Sequence, residues 1–226
     1  MDKELAQLQN LLSTPREEQS GSKNFITGCI GPHEVILQKC GIGKVNAAVG
    51  AVEMIDRYHP DLIVSTGCAG GADTHLKVTD VVVGTHYTYH DVYCGEAIGH
   101  SVYGQVQGLP PRFDADPSLL EKALSLSLPK GVKVHPGLIV TGDWFVDTKD
   151  KMREIVGHFP EAKAVDMESC AIAQTCYINK VPFISFRVIS DIPLRDTDAS
   201  MYHDFWDNVA EQSFQVTKTF VESLQQ

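Results

Sequence analysis

Five short apolar runs constrain this chain more than any other feature. DLIVSTG, TDVVVGTHYTYHD, GLIVTGDWFV, AKAVDM and VPFISFRVISD are rich in β-branched residues, and each carries a glycine or an acid at or near its C-terminal end. Runs of this kind predict strands, and the composition of VPFISFRVISD predicts one buried on both faces. Helical patterns lie between them. GIGKVNAAVGAVEMIDRYH turns through glycines into a helix of about four turns, DPSLLEKALSL opens on a capping Asp116, and KDKMREIVGHF and ESCAIAQTCYINK follow the same logic. Ahead of these, Leu5, Leu8 and Leu12 predict an amphipathic helix over residues 3–12, STPREEQSGSKN reads as a polar break, and HEVILQKC reads as a strand. Residues 92–114 read as a long loop, and Tyr202 to Gln226 as a closing helix. Strands alternating with helices predict an α/β sheet. No repeat, linker or low-complexity tract divides the chain, so residues 1–226 are read as one domain.

Composition narrows the function. With 226 residues, 43% of them hydrophobic, the chain is long enough for a substantial core. A formal charge of −10 argues against a nucleic-acid binder, which is normally basic, but not against a small uncharged nucleoside. No apolar run reaches membrane-spanning length, so no membrane partner is expected. MDKELAQLQNLL lacks the basic and apolar regions of a signal peptide. The six cysteines form no CxxC pair and read as reduced thiols of a cytoplasmic protein. The nine histidines show no ligand spacing with them, so no metal is expected.

Ligands of α/β sheets gather where strands end, and four such ends here carry unusual chemistry: GCAGG at 67–71, GDWFV at 142–146, DMES at 166–169 and SD at 190–191. Each also has a plain reading. The glycines make a turn, Phe145 is core, Asp191 caps the next segment, and Glu168 is an acid favoured by a helix N-terminus. Asp166 and Glu168 are the hardest to dismiss, because a carboxylate at a buried strand end is costly without a partner.

Taken together and in order, GIGKVNAA, STGCAGG, YHD, TGDWFV, AVDMES and RVISD resemble the 5′-methylthioadenosine/S-adenosylhomocysteine nucleosidases of the purine nucleoside phosphorylase superfamily, over nearly the whole chain. The resemblance implies a three-layer fold with a central mixed twisted sheet flanked by helices. It also implies that Glu168 binds the ribose hydroxyls while Met167 packs on the sugar. Asp191 becomes the general acid toward adenine N7, oriented by Ser190. Phe145 stacks on the purine, and the backbone of Val146 meets the base edge. Ile42, Cys68 and Gly70 line the pocket, with Cys68 standing where many relatives carry serine. Arg187 lies near the attacking water, and Tyr202 lies beside the sugar and its thio substituent. Asp166 matches a family acid to which no role is assigned.

The implied reaction explains these residue types. Adenine leaves badly as an anion, and protonation at N7 makes it a neutral leaving group. The sugar becomes oxocarbenium-like and gains from nearby negative charge. Water then attacks C1′ and needs a base. No cofactor is required. By register the base is Glu4, whose plain reading is a solvated residue in a frayed helix start. The family's first strand, which precedes this glutamate, has no counterpart before MDKEL. The expectation is therefore a poorly anchored Glu4 and reduced or absent turnover. The resemblance further implies a homodimer in which loop 92–114, with Tyr103, Leu109, Pro110 and Pro111, covers the partner's site.

Two other readings stay open at this stage. A purine nucleoside phosphorylase needs phosphate-binding cations, and Lys44, beside the first glycine loop, is read as facing outward. A nucleoside-binding protein with impaired catalysis is the other. The 5′-substituent (methylthio, homocysteinyl, deoxy or futalosine-type) is left undecided.

Overall fold

The structure is a computed structural model that describes residues 2–20, 23–95, 102–128, 132–195 and 210–224. Nine strands and six helices follow one another among these: α1 (Asp2–Gln9), β1 (Ser13–Ser20), β2 (Lys23–Ile30), β3 (His33–Gln38), α2 (Lys44–Tyr58), β4 (Ile63–Gly71), β5 (Val81–Tyr89), β6 (Phe113–Asp114), α3 (Pro117–Leu124), β7 (Val134–Thr141), α4 (Lys149–His158), β8 (Ala162–Asp166), α5 (Ser169–Asn179), β9 (Phe183–Asp191) and α6 (Ala210–Ser223).

The α/β architecture is the expected one, and its sheet is mixed. β4 runs parallel to β9 and antiparallel to β8, while β7 runs parallel to both β5 and β8. An antiparallel pairing of Val81–Val83 of β5 with β9 joins the two sides, so β5, β7, β8, β4 and β9 close into a ring. β9 sits inside it: every residue from Phe183 to Ser190 is buried, and only Asp191 emerges. That is the pattern of a strand covered on both faces. α5 explains how helices reach the sheet so closely. Its sequence SCAIAQTCYIN is dominated by small residues, six of them buried beside Ile172, and it packs on α2, whose small Ala47 and Ala51 share its core cluster. Among the described residues, no helix is long and apolar enough to cross a membrane.

Two sequence expectations need correction, and a third falls partly outside the described residues. STPREEQSGSKN is not a break: β1 pairs antiparallel with β2, from Ser13↔Cys29 to Ser20↔Lys23, within a separate three-stranded sheet completed by β3. β1 is polar and largely exposed, so it lacks the apolar alternation by which a strand is recognised; its proline and charges suit an edge. Next, the strand expected through GDWFV stops at Thr141, where Gly142 N turns to donate to the Asp166 carbonyl at 3.1 Å. GDWFV is therefore a loop at a strand end. Last, the closing helix is described only as α6; Tyr202 lies outside the described residues.

Candidate active site

The ends of β3, β4, β8 and β9, the glycine loop before α2, the loop after β7, and α1 enclose one pocket. Eleven of the twelve residues singled out in the sequence line it: Glu4, Ile42, Cys68, Gly70, Phe145, Val146, Met167, Glu168, Arg187, Ser190 and Asp191. Tyr202, the twelfth, lies outside the described residues.

Glu4 is anchored, contrary to expectation. It stands in the first turn of α1, whose Leu5 and Leu8 pack against the core. Its Oε1 accepts the backbone amide of Cys68 at 2.9 Å, fastening the helix to β4. Gly67, beside it, cannot carry a side chain: an added Cβ would overlap the Arg187 guanidinium and stand 3.0 Å from Glu4 Oε1. The empty position on Gly67 thus lets a carboxylate and a guanidinium meet over the strand.

Arg187 is the only buried cation among the described residues. Its Nε donates to Asp166 Oδ2 at 2.7 Å and to Ser169 Oγ at 3.0 Å, and Nη2 donates to Ser65 Oγ at 3.0 Å. Asp166 is completed by Thr141 Oγ1 at 2.5 Å and by the amide of Ser169, 3.1 Å from Oδ2. Burial opposes the guanidinium's charge, but Asp166, Glu168 and Glu4 together raise its pKa above the ordinary arginine value. Asp166 is therefore the counter-charge of Arg187. Nothing local in the sequence identifies Ser65, Thr141 or Ser169 as its helpers; the one available signal was the pairing rule itself, since a buried carboxylate calls for a cation.

Glu168 follows β8 at the entrance to α5. Its Oε1 accepts the Gly43 amide at 3.2 Å, and Oε2 lies 3.9 Å from Arg187 Nη2. Burial pushes its carboxyl up to about 7, against the pull of Arg187. Across the pocket, Ser190 Oγ donates to Asp191 Oδ1 at 2.6 Å, and Asp191 Oδ2 lies 3.8 Å from the position a Cβ on Gly70 would take. Phe145 is 52% exposed, so its core reading fails; Val146, next to it, is buried. Ile42 is also exposed at the opposite lip. Cys68 and Cys40 both line the pocket, and burial raises both thiols above their usual value, with nearby Glu4 acting in the same direction. They are neutral wall groups, not nucleophiles.

Lys44 does not face outward freely. Its Nζ lies 2.8 Å from each oxygen of Asp91 and 3.8 Å from Asp143 Oδ2. In loop 92–114, Tyr103 stacks on His158 of its own chain at 3.8 Å between ring centroids, and Leu109 packs on the core. Among the described residues of this region, Tyr93 and Val102 are large apolar side chains that stand exposed, and Pro111 is exposed as well.

The Phosphorylase superfamily model matches residues 1–222. The chain is 40% identical to the 5′-methylthioadenosine/S-adenosylhomocysteine nucleosidase of an Exiguobacterium species, over 100% of this chain and 96% of that protein. It superposes with a TM-score of 0.91 on the nucleosidase of that name from S. pneumoniae, solved with the transition-state inhibitor MT-ImmA, at 34% identity and covering 100% of this chain and 96% of that one. The S-adenosylhomocysteine nucleosidase of Streptococcus pyogenes, solved with 5-methylthiotubericidin, gives 0.92 at 36% identity, covering 100% and 94%.

Proposed function

This chain belongs to the phosphorylase superfamily and, within it, to the 5′-methylthioadenosine/S-adenosylhomocysteine nucleosidases, and on that premise we propose that it hydrolyses the N-glycosidic bond of both nucleosides to adenine and a thioribose sugar. The observation that carries the reading is the convergence of three carboxyl groups, Glu4, Glu168 and Asp191, from α1, the β8–α5 junction and the end of β9, on a pocket whose lip bears Phe145.

The roles are those the family resemblance implies, and the positions of these residues support them. Asp191, held by the Ser190 hydroxyl, donates a proton to adenine N7 while the C1′–N9 bond breaks and its electron pair leaves with the base. Phe145 stacks on the purine, and the Val146 backbone meets the base edge. Glu168 accepts from the ribose hydroxyls, with Met167 beneath the sugar. Glu4, close to Arg187 and fixed by the Cys68 amide, takes a proton from the water that attacks C1′. Ile42, Cys68 and Gly70 shape the remaining wall. Arg187 is committed to Asp166, Ser65 and Ser169, which favours water over phosphate as the acceptor.

The enzyme works in the cytoplasm, in methionine salvage and the recycling of S-adenosylmethionine by-products, as a homodimer. Val45, Val49 and Val52 form an exposed apolar face on α2, and Tyr93 and Val102 extend the exposed apolar surface. Release of free adenine from methylthioadenosine in phosphate-free buffer tests the reaction. A strict phosphate requirement, with a sugar phosphate as product, would overturn it in favour of a phosphorylase.

A further inference from the structure

The two lips of the pocket are joined by charges that the reaction itself does not use. One lip is the glycine loop before α2. The amides at the junction of this loop with α2 point at carboxylates from different places: Gly43 N donates to Glu168 Oε1 at 3.2 Å, and Lys44 N donates to Asp143 Oδ1 at 2.7 Å. Gly43, at φ 91°, leaves room for this; an added Cβ would stand 2.8 Å from Asp143 Oδ1. The other lip is the loop after β7, which carries Asp143 just ahead of Phe145 and Val146. Asp91, just beyond β5, closes the circuit, because its Oδ2 accepts the Asp143 amide at 2.8 Å and both its oxygens receive Lys44 Nζ.

We propose that Lys44, Asp91 and Asp143 are positioning residues that clamp the base-side loop 142–146 to the sugar-side start of α2, fixing Phe145 and the Glu168–Gly43 contact in one frame. The cation matters because two carboxylates meet there, and without Lys44 they would repel each other across the mouth of the pocket. The geometry is of the stronger kind. The side chains of Lys44 and Asp91 are 24% and 26% exposed, so the pair is screened less than a surface pair. Asp91 stays below the usual carboxylate range: burial pushes it up, but Lys44 and the Asp143 amide outweigh that.

The inference rests on the nucleosidase reading for its kinetic readout and not for its binding readout, so the two can fail separately. The experiment measures adenine Kd by calorimetry alongside KM and kcat for methylthioadenosine. It compares wild type, Lys44→Met, Asp91→Asn, Asp143→Asn and Lys44→Arg at low and high salt. Loss of one charge-assisted link is expected to weaken adenine binding about five- to tenfold, with KM rising similarly and kcat changing less. The wild-type Kd weakens with salt and that of Lys44→Met does not. The double variant Lys44→Met/Asp91→Asn is no weaker than either single one. Lys44→Arg, which keeps the charge, holds the wild-type Kd. Unchanged adenine binding in Lys44→Met and Asp91→Asn, or a loss in Lys44→Arg as large as in Lys44→Met, overturns the clamp. Should those variants unfold, Asp143→Asn, altering a side chain 47% exposed, carries the same comparison. A wild type that binds adenine but releases none overturns the hydrolase reading while the Kd series still decides the clamp.

Discussion

Arg187 Nε donates to Asp166 Oδ2 at 2.7 Å, with the two side chains only 4% and 1% exposed. Removing one partner leaves the other charge stranded in the interior. Asp166→Asn is therefore expected to destabilise the fold by about 3–5 kcal/mol. Urea unfolding checks this, and a midpoint within error of wild type would show that Arg187 has other adequate support.

Gly67 is the point where Glu4 and Arg187 cross β4. Gly67→Ala puts a methyl group into the guanidinium and 3.0 Å from Glu4 Oε1, and both neighbours are embedded in hydrogen bonds. Adenine release should fall about a hundredfold, as a small misplacement of reacting groups can cost that much. Single-turnover kinetics measures this; near-normal turnover would place water activation elsewhere.

Glu4→Gln keeps an oxygen that can accept the Cys68 amide and removes the basic carboxylate. The expected result is a loss of about 10²–10⁴ in kcat with adenine affinity unchanged. A variant that still turns over at the wild-type rate would return Glu4 to the role of a tether for α1.

Phe145 is 52% exposed at the pocket lip, so its removal should barely change stability. If it stacks on the purine, Phe145→Ala weakens adenine binding by about 1–3 kcal/mol. Thermal unfolding and calorimetry on one sample separate these effects; a large drop in stability with intact binding would make Phe145 a packing residue.

The strands with strong apolar pattern were legible in the sequence, because burial writes itself as runs of Val and Ile; β9 is the clearest case. β1 was not, since an exposed strand rich in charge has the composition of a loop and is defined only by its partner β2. The pocket lining was legible through motifs at strand ends only once their joint order resembled a known family, which also pointed to Glu4 and Ile42. What holds that lining was not. Asp166 finds Arg187 across 21 residues, Lys44 finds Asp91 across 47, and Glu4 finds Cys68 across 64. Such partners are chosen by the sheet's closure, and no local spacing encodes them. The expectation of a poorly anchored Glu4 rested on the strand that precedes it in the family; the Cys68 amide, 64 residues away, supplies a tether from β4 instead.

The pH dependence of stability gives a test centred on Glu168. Burial lifts its carboxyl from 4.5 to about 7, with Arg187 pulling the other way. The folded value thus lies above the unfolded one. Between these two pH values the native state holds a proton that the unfolded chain has released, so stability falls as pH rises from about 4.5 to about 7 and stays lowered above that. Glu168→Gln cannot ionise and escapes this loss. It should be more stable than wild type above pH 7, by about 1–3 kcal/mol, and the difference should vanish below about pH 4.5. Urea midpoints at the two ends of that range measure it. The same variant should lose most of its activity, because a neutral amide offers the ribose hydroxyls and the developing sugar cation a weaker acceptor than a carboxylate. Gain of stability with loss of activity is the signature of a charge kept in the interior for the reaction. A variant less stable than wild type at high pH would instead make Glu168 a structural partner of Arg187 and Gly43.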